Sequence, residues 1–238
     1  MLCQVAGVPG VAELDVLEAA EAEDVAAKVL DLRAEWRRRS PRFDFYTLGG
    51  NAYMDLAGAT DPQGGYFAPL RDVNRVLDKH FEGLYERMAT RLSDALGLVA
   101  RYPDDLARQG FHIWLGESIP RSARASVHFD LQYFGVLTRP QYAACTGTIS
   151  FTLPVQLPAS GSGLNVWPGC TYPAPAAAVQ AAQQSAPTVV GYRPGTAVVH
   201  SGHVLHQIGV TDSPGADDVR ITFQGHGLVR GDELLLYW

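Results

Sequence analysis

Apolar positions recur along this chain with two different periods, helical in the first hundred residues and strand-like afterwards. From Leu70, apolar side chains at Val73, Leu77, Phe81, Leu84, Met88, Leu92 and Ala95 follow at intervals of three and four. That spacing predicts a long helix from Pro69, a residue tolerated in a first turn, to Gly97. A shorter stripe of Val25, Val29, Leu32 and Trp36 predicts a helix within 11–39. Glu21, Glu23 and Asp24 stand at its start and Arg37, Arg38 and Arg39 at its end, as the helix dipole favours. Between the two lies 40–69, rich in Gly, Pro, Tyr and Phe, expected as turns and short irregular strands long enough to line or cover a pocket.

After Pro103 the runs become short and β-prone, punctuated by Gly and Pro: 111–115, 126–136, 146–153, 163–167, 188–192, 196–200, 205–210, 219–229 and 233–238. The Ala/Gln/Pro stretch 173–187 is the exception, expected as a loop with one helical turn. Many short strands at this spacing predict a mainly β protein with flanking α, an antiparallel sandwich or barrel over 105–238. Residues 1–100 form a helical flank that could cover one face, within a single domain of 1–238. The cleanest alternation places Val219, Ile221 and Phe223 on one face and Arg220, Thr222, Gln224 and His226 on the other. If the helices bury against the apolar face, the polar face looks into the barrel. An inward arginine is costly unless an anion meets it, and its planar fork matches a carboxylate, with the Thr222 hydroxyl adding a further hydrogen bond.

Composition narrows the partners. Charged residues make up 18% of the chain and net charge is −6, so no basic face is implied, and nucleic acid and anionic membranes are poor partners. Cys3, Cys145 and Cys170 are odd in number and far apart, without a C-x-x-C, which argues against a disulfide framework or a cysteine zinc site. The start lacks the pattern of a signal peptide and no run approaches eighteen apolar residues. A soluble, cytoplasmic protein is expected.

Candidate chemistry begins at Ser126–Tyr133, where His128 and Asp130 stand two apart and would share one face of an extended chain. Chance alone supplies about 0.5 His-x-Asp triplets in such a composition, so the pair gains meaning only from partners elsewhere in the chain. Downstream, 195–208 reads as strand, Ser-Gly turn, strand, and holds His200, His203 and His206. His206 opens an alternating strand after the turn and is the preferred third ligand. The glycines and the Val198–Val199 pair argue against a helix that would align all three.

The order His128-x-Asp130, then His206, then Arg220-x-Thr222 resembles the Fe(II)- and 2-oxoglutarate-dependent dioxygenase superfamily, over about residues 111–230. The resemblance implies a double-stranded β-helix, a jelly-roll or cupin-like core with flanking helices. It implies that His128, Asp130 and His206 bind Fe(II), and that Arg220 and Thr222 hold the distal carboxylate of 2-oxoglutarate. Two imidazoles and one carboxylate on one face of the metal leave sites open for the keto acid and O2. The stretch Ser160–Pro168 and the glycine turn before His206 also look like family segments. The implied reaction couples oxidative decarboxylation of 2-oxoglutarate to oxidation of a C–H bond. Related halogenases carry a small residue where Asp130 stands, so its presence favours hydroxylation, desaturation or cyclisation.

Further candidates are Gln132 and Asn165 for the keto-acid end, Tyr133 for that end or the substrate, and Trp114, Arg124, Gln224 and His226 for substrate. A small-molecule or amino-acid-like substrate is expected. Two other readings use the same strands: a cupin-type metal enzyme without a keto acid, and a non-catalytic jelly-roll binding module. Arg220 with Thr222 separates the first from the dioxygenase, because a cupin needs no such pair.

Overall fold

Two sheets face each other across a cavity, and two helices close the outer side of the larger one. The computed structural model describes residues 10–56, 63–120, 125–209 and 213–238. In chain order the first elements are β1 (Val11–Asp15), α1 (Ala19–Asp31), β2 (Arg37–Arg38), β3 (Phe45–Leu48) and α2 (Ala52–Asp55). Then come α3 (Leu70–Leu96), β4 (Val99–Arg101), β5 (Gly110–Leu115), α4 (Tyr133–Leu137), β6 (Gly147–Gln156) and β7 (Gly163–Thr171). The last are α5 (Ala176–Gln183), β8 (Thr188–Gly191), β9 (Thr196–His200), β10 (Val204–Gly209), β11 (Val219–Arg230) and β12 (Glu233–Tyr237).

The larger sheet runs β1-β9-β6-β11-β5-β3-β2, with β12 on the far half of β11 and β4 beyond it; the smaller is β10-β7-β8. The strand series predicts an antiparallel sandwich or barrel, and the structure is the double-stranded β-helix that the resemblance implies, with the long β11 at its centre.

The predicted long helix is α3, ended by Gly97 at φ 67°, whose N–H donates to the Ser93 carbonyl. Its stripe of Leu77, Phe81, Leu84, Met88 and Leu92 packs with Ala22, Ala26 and Val29 of α1 onto Ile221, Phe223, Phe111 and Phe151 of the sheet. Burying an apolar side chain of this size contributes about 1.5–3 kcal/mol, so this layer fixes which face of β11 points outward. By alternation, Arg220, Thr222, Gln224 and His226 point the other way.

Four expectations need correction. Val11–Asp15 is a strand rather than part of a helical segment, because it pairs with β9 and completes that edge. Residues 1–100 are therefore more than a helical flank, since β1, β2, β3 and β4 all join the large sheet. The run 126–136 is no strand: it makes one isolated bridge, His128 to His206, and turns into α4 once Tyr133 and Val136 find a core of their own with Tyr66 and Leu106. Finally, 176–183 forms two helical turns rather than one.

Candidate metal and ligand site

His128 and His206 reach the cavity from opposite sides of one backbone bridge. Each amide donates to the other's carbonyl, at 2.9 and 3.0 Å, so the two imidazoles sit side by side with ring centroids 4.5 Å apart. Their tautomers are set by the chain itself. Nδ1 of His128 donates to the Ser126 carbonyl at 3.0 Å and Nδ1 of His206 to the Val204 carbonyl at 2.8 Å. A carbonyl can only accept, so both Nε2 atoms are left with free lone pairs, the arrangement that second-sphere hydrogen bonds impose on metal-ligating histidines.

Both lone pairs face Asp130. Its Oδ1 is 3.6 Å from His128 Nε2 and its Oδ2 is 3.6 Å from His206 Nε2. Among the described residues these three form a group whose ligand atoms lie within 4.8 Å of one another. Donors about 2.1 Å from a metal in adjacent positions stand about 3 Å apart, so a small inward adjustment accommodates a first-row cation. The backbone of Asp130 is pinned by its N–H to the Gly202 carbonyl at 2.8 Å. Gly202 needs φ 78°, and a Cβ there would approach Ser150 Oγ to 3.0 Å and Asp130 Cβ to 3.5 Å. The glycine of the Ser-Gly turn therefore serves both the turn and the carboxylate.

Electrostatics agree with a site prepared for a cation. Burial opposes ionisation of Asp130, but the facing His206 outweighs it and holds the carboxyl well below its usual range. His206 responds in the opposite sense: burial pulls its pKa down, and Asp130 more than restores it. His128 is lowered by burial and by His206.

A cavity of about 300 Å³ opens from this cluster. Cross-strand neighbours share a face, and three rows of the large sheet line or back it. One row is Tyr237, His226, Ser150 and His200. Another is Thr222, His112 and Thr47, and the third is Arg220, Trp114 and Phe45. His112 and His200 are buried and His226 is half-buried, and all three are neutral, with pKa pushed down chiefly by burial to about 3, about 3 and about 4.

Arg220 is 1% exposed and meets no carboxylate within ion-pair distance among the described residues. Its Nε donates to Ser162 Oγ at 3.1 Å and its Nη1 to Thr222 Oγ1 at 3.4 Å, while Nη2 has no partner among the described residues. A buried cation with an unpaired donor is a costly arrangement that an anion would relieve. Arg220 and Thr222 sit just behind the cavity wall. The guanidinium lies 5.8 Å from the Tyr192 ring, and Gln224 donates to Thr222 Oγ1; Tyr192 and Gln224 are the side chains that face the cavity.

The other sequence candidates divide. Trp114, Gln224 and His226 line the cavity. Asn165 does not: it pairs with Gln207, one residue past His206, and its Nδ2 donates to Gln207 Oε1 on the opposite face of the small sheet. Gln132 caps α4 outside the cavity lining, and Tyr133 is turned to His203, its hydroxyl 3.0 Å from Nε2. Arg124 lies outside the described residues. Sequence reading missed Ser162, Ser150 and Tyr192 as neighbours of the site. Ser150 and Thr152 had left a signal, polar residues alternating with Phe151 and Leu153. The expected pocket-lining role of 40–69 is met by Phe43, Phe45, Asn51, Tyr53 and Met54.

Neither protein-family models nor curated proteins give a match to this sequence. Solved structures do. An N-substituted L-amino acid dioxygenase from Burkholderia ambifaria AMMD aligns with TM-score 0.58 and 15% identity over 96% of this chain and 86% of that one. The non-heme alpha-ketoglutarate-dependent epimerase SnoN of nogalamycin biosynthesis aligns with TM-score 0.51 and 16% identity over 93% of this chain and 78% of that one. SnoN has also been solved with Fe3+, alpha-ketoglutarate and nogalamycin RO, and that complex aligns with TM-score 0.50 and 16% identity over 90% of this chain and 77% of that one. At such identities the likeness defines the fold: this chain has the double-stranded β-helix found in alpha-ketoglutarate-dependent oxygenases. No helix among the described residues is long and apolar enough to cross a membrane.

Proposed function

We propose that this protein is an Fe(II)- and 2-oxoglutarate-dependent oxygenase acting on a C–H bond of a small molecule. The observation that carries the reading is Arg220, a buried guanidinium whose Nη2 has no partner among the described residues, behind the same cavity that holds the His-Asp-His group. A metal enzyme without a keto acid would have no use for it. His128, Asp130 and His206 would hold the iron, and Arg220, Ser162 and Thr222 would receive the distal carboxylate.

Iron with 2-oxoglutarate and O2 supplies, when bound, an oxidant able to take hydrogen from carbon, with succinate and carbon dioxide as co-products. The chain's own part is positional. The Ser126 and Val204 carbonyls hold both imidazoles in the ligating tautomer, and the Gly202 carbonyl holds Asp130 between them. Gln224, whose side chain has one hydrogen bond among the described residues, to Thr222 Oγ1, yields that hydroxyl to the incoming carboxylate.

The test is anaerobic loading with Fe(II) and 2-oxoglutarate. A weak visible charge-transfer band is expected, followed by succinate on admitting oxygen. Well-folded, iron-loaded protein giving neither would end this reading. Arg220→Ala should raise the 2-oxoglutarate concentration needed for half-maximal band intensity by about ten- to a hundredfold, the worth of a charge-assisted hydrogen bond.

A further inference from the structure

The outer end of the cavity differs in chemistry from its metal end. Its rim carries Phe43 and Tyr53, which are 38% and 49% exposed, large apolar side chains left facing solvent on two different segments. Behind them Phe45 lies flat on Trp114, with ring centroids 3.9 Å apart and planes 10° apart, and His112 meets Phe45 edge-on at 5.1 Å. Apart from Asp130, the one charged side chain that the described lining contributes is Glu117; no described lysine or arginine lines the cavity.

One hydrogen-bonding direction in this aromatic chamber is fixed. Asn51 caps α2, its Oδ1 accepting from the Met54 amide at 3.1 Å, so the amide group cannot flip and Nδ2 is the end that meets His112 Nε2 at 3.3 Å. Nε2 must then accept, and the ring's hydrogen sits on Nδ1, which has no protein partner among the described residues although the ring lines the cavity. The indole Nε1 of Trp114, in the same wall, is a second donor without an acceptor among the described residues. An unpaired donor in an apolar wall is costly, and a ligand oxygen placed there is correspondingly favoured.

We infer that the outer chamber is a substrate subsite for a planar, uncharged aromatic ring system bearing a carbonyl or hydroxyl oxygen. The ring lies against the Phe45 and Trp114 wall under Phe43 and Tyr53, and the oxygen accepts from His112 Nδ1–H. Asn51 is a positioning residue that sets the tautomer. This assignment rests on the oxygenase reading for what becomes of the ring, but not for whether the ring binds.

Binding is therefore tested on the full chain without metal, by quenching of intrinsic fluorescence, since Trp114 and Trp238 both line the cavity. The probes are 1,4-naphthoquinone, naphthalene and L-phenylalanine, with affinities confirmed by calorimetry. Naphthoquinone should bind about fivefold or more tightly than naphthalene, the worth of one hydrogen bond, and L-phenylalanine should bind weakest. His112→Leu should erase the preference for the oxygenated ring while leaving naphthalene binding in place. His112→Gln, which keeps a donor, should retain part of the preference and serves if the leucine variant fails to fold. Equal binding of naphthoquinone and naphthalene, tighter binding of L-phenylalanine, or an unchanged preference in a folded His112→Leu variant would overturn the assignment. Succinate production is measured separately, so loss of the oxygenase reading and loss of the subsite are told apart.

Discussion

Three histidines lie within seven residues of one another, and one of them belongs to the ligand group. His206 faces Asp130, His200 is fixed by the Gly202 amide donating to its Nδ1 at 3.1 Å, and His203 bonds outward to Tyr133. His206→Ala should abolish stoichiometric iron binding, whereas His203→Ala should keep it; metal analysis after desalting separates the two, and iron retained by the first variant would refute the ligand set. Spacing alone could not make this choice, because it depends on the bridge between His206 and a segment some eighty residues earlier. Arg220 with Thr222 was legible from alternation along one strand, whereas His128 and Asp130 converge from an irregular segment held by its bridge to His206. Asn165 was misread because facing depends on its register against Gln207, and no residue of β7 encodes that register by itself.

At the scale of elements, legibility followed length. The 27 residues of α3 carry a stripe long enough to declare both helix and buried face. The five residues of β1 and four of β3 carry no such stripe and become strands because β9 and β5 offer edges to pair with. Leu77 and Met88, both fully buried where α3 meets the sheet, should cost about 2–5 kcal/mol each when replaced by alanine, read as a lowered denaturant midpoint. Gly202→Ala acts on a turn instead. Its left-handed backbone and the approach to Ser150 and Asp130 predict a loss of about 1–3 kcal/mol together with weaker iron binding. A variant as stable as the parent would mean that the turn relaxes freely.

Across the whole molecule, the sheet order was hidden from sequence because β11, besides its hairpin partner β12, draws β5 and β6 from far back in the chain. The layer they enclose also makes the protein acid-sensitive. Burial pushes His112 down to about 3 and His226 to about 4, against 6.5 for an ordinary imidazole. Between those values the unfolded chain binds more protons than the native one, so stability falls as pH drops from about 6.5 towards 4. The loss is on the order of 3 kcal/mol per histidine at most. Thermal unfolding followed from about pH 7 to about pH 4.5 should show a falling midpoint, shallower in His112→Gln; a flat profile would contradict the neutral, buried state of these rings.

The small sheet has three strands, and the His128 segment joins that sheet at a single backbone bridge, the two reciprocal amide bonds with His206. A cation shared by the two side chains would close a ring through backbone and imidazoles, so that neither amide could open without the other. Deuterium uptake at these two positions thus becomes a local clock for occupancy. Both amides should slow together by about tenfold or more when a divalent ion is added, with no substrate and no turnover required.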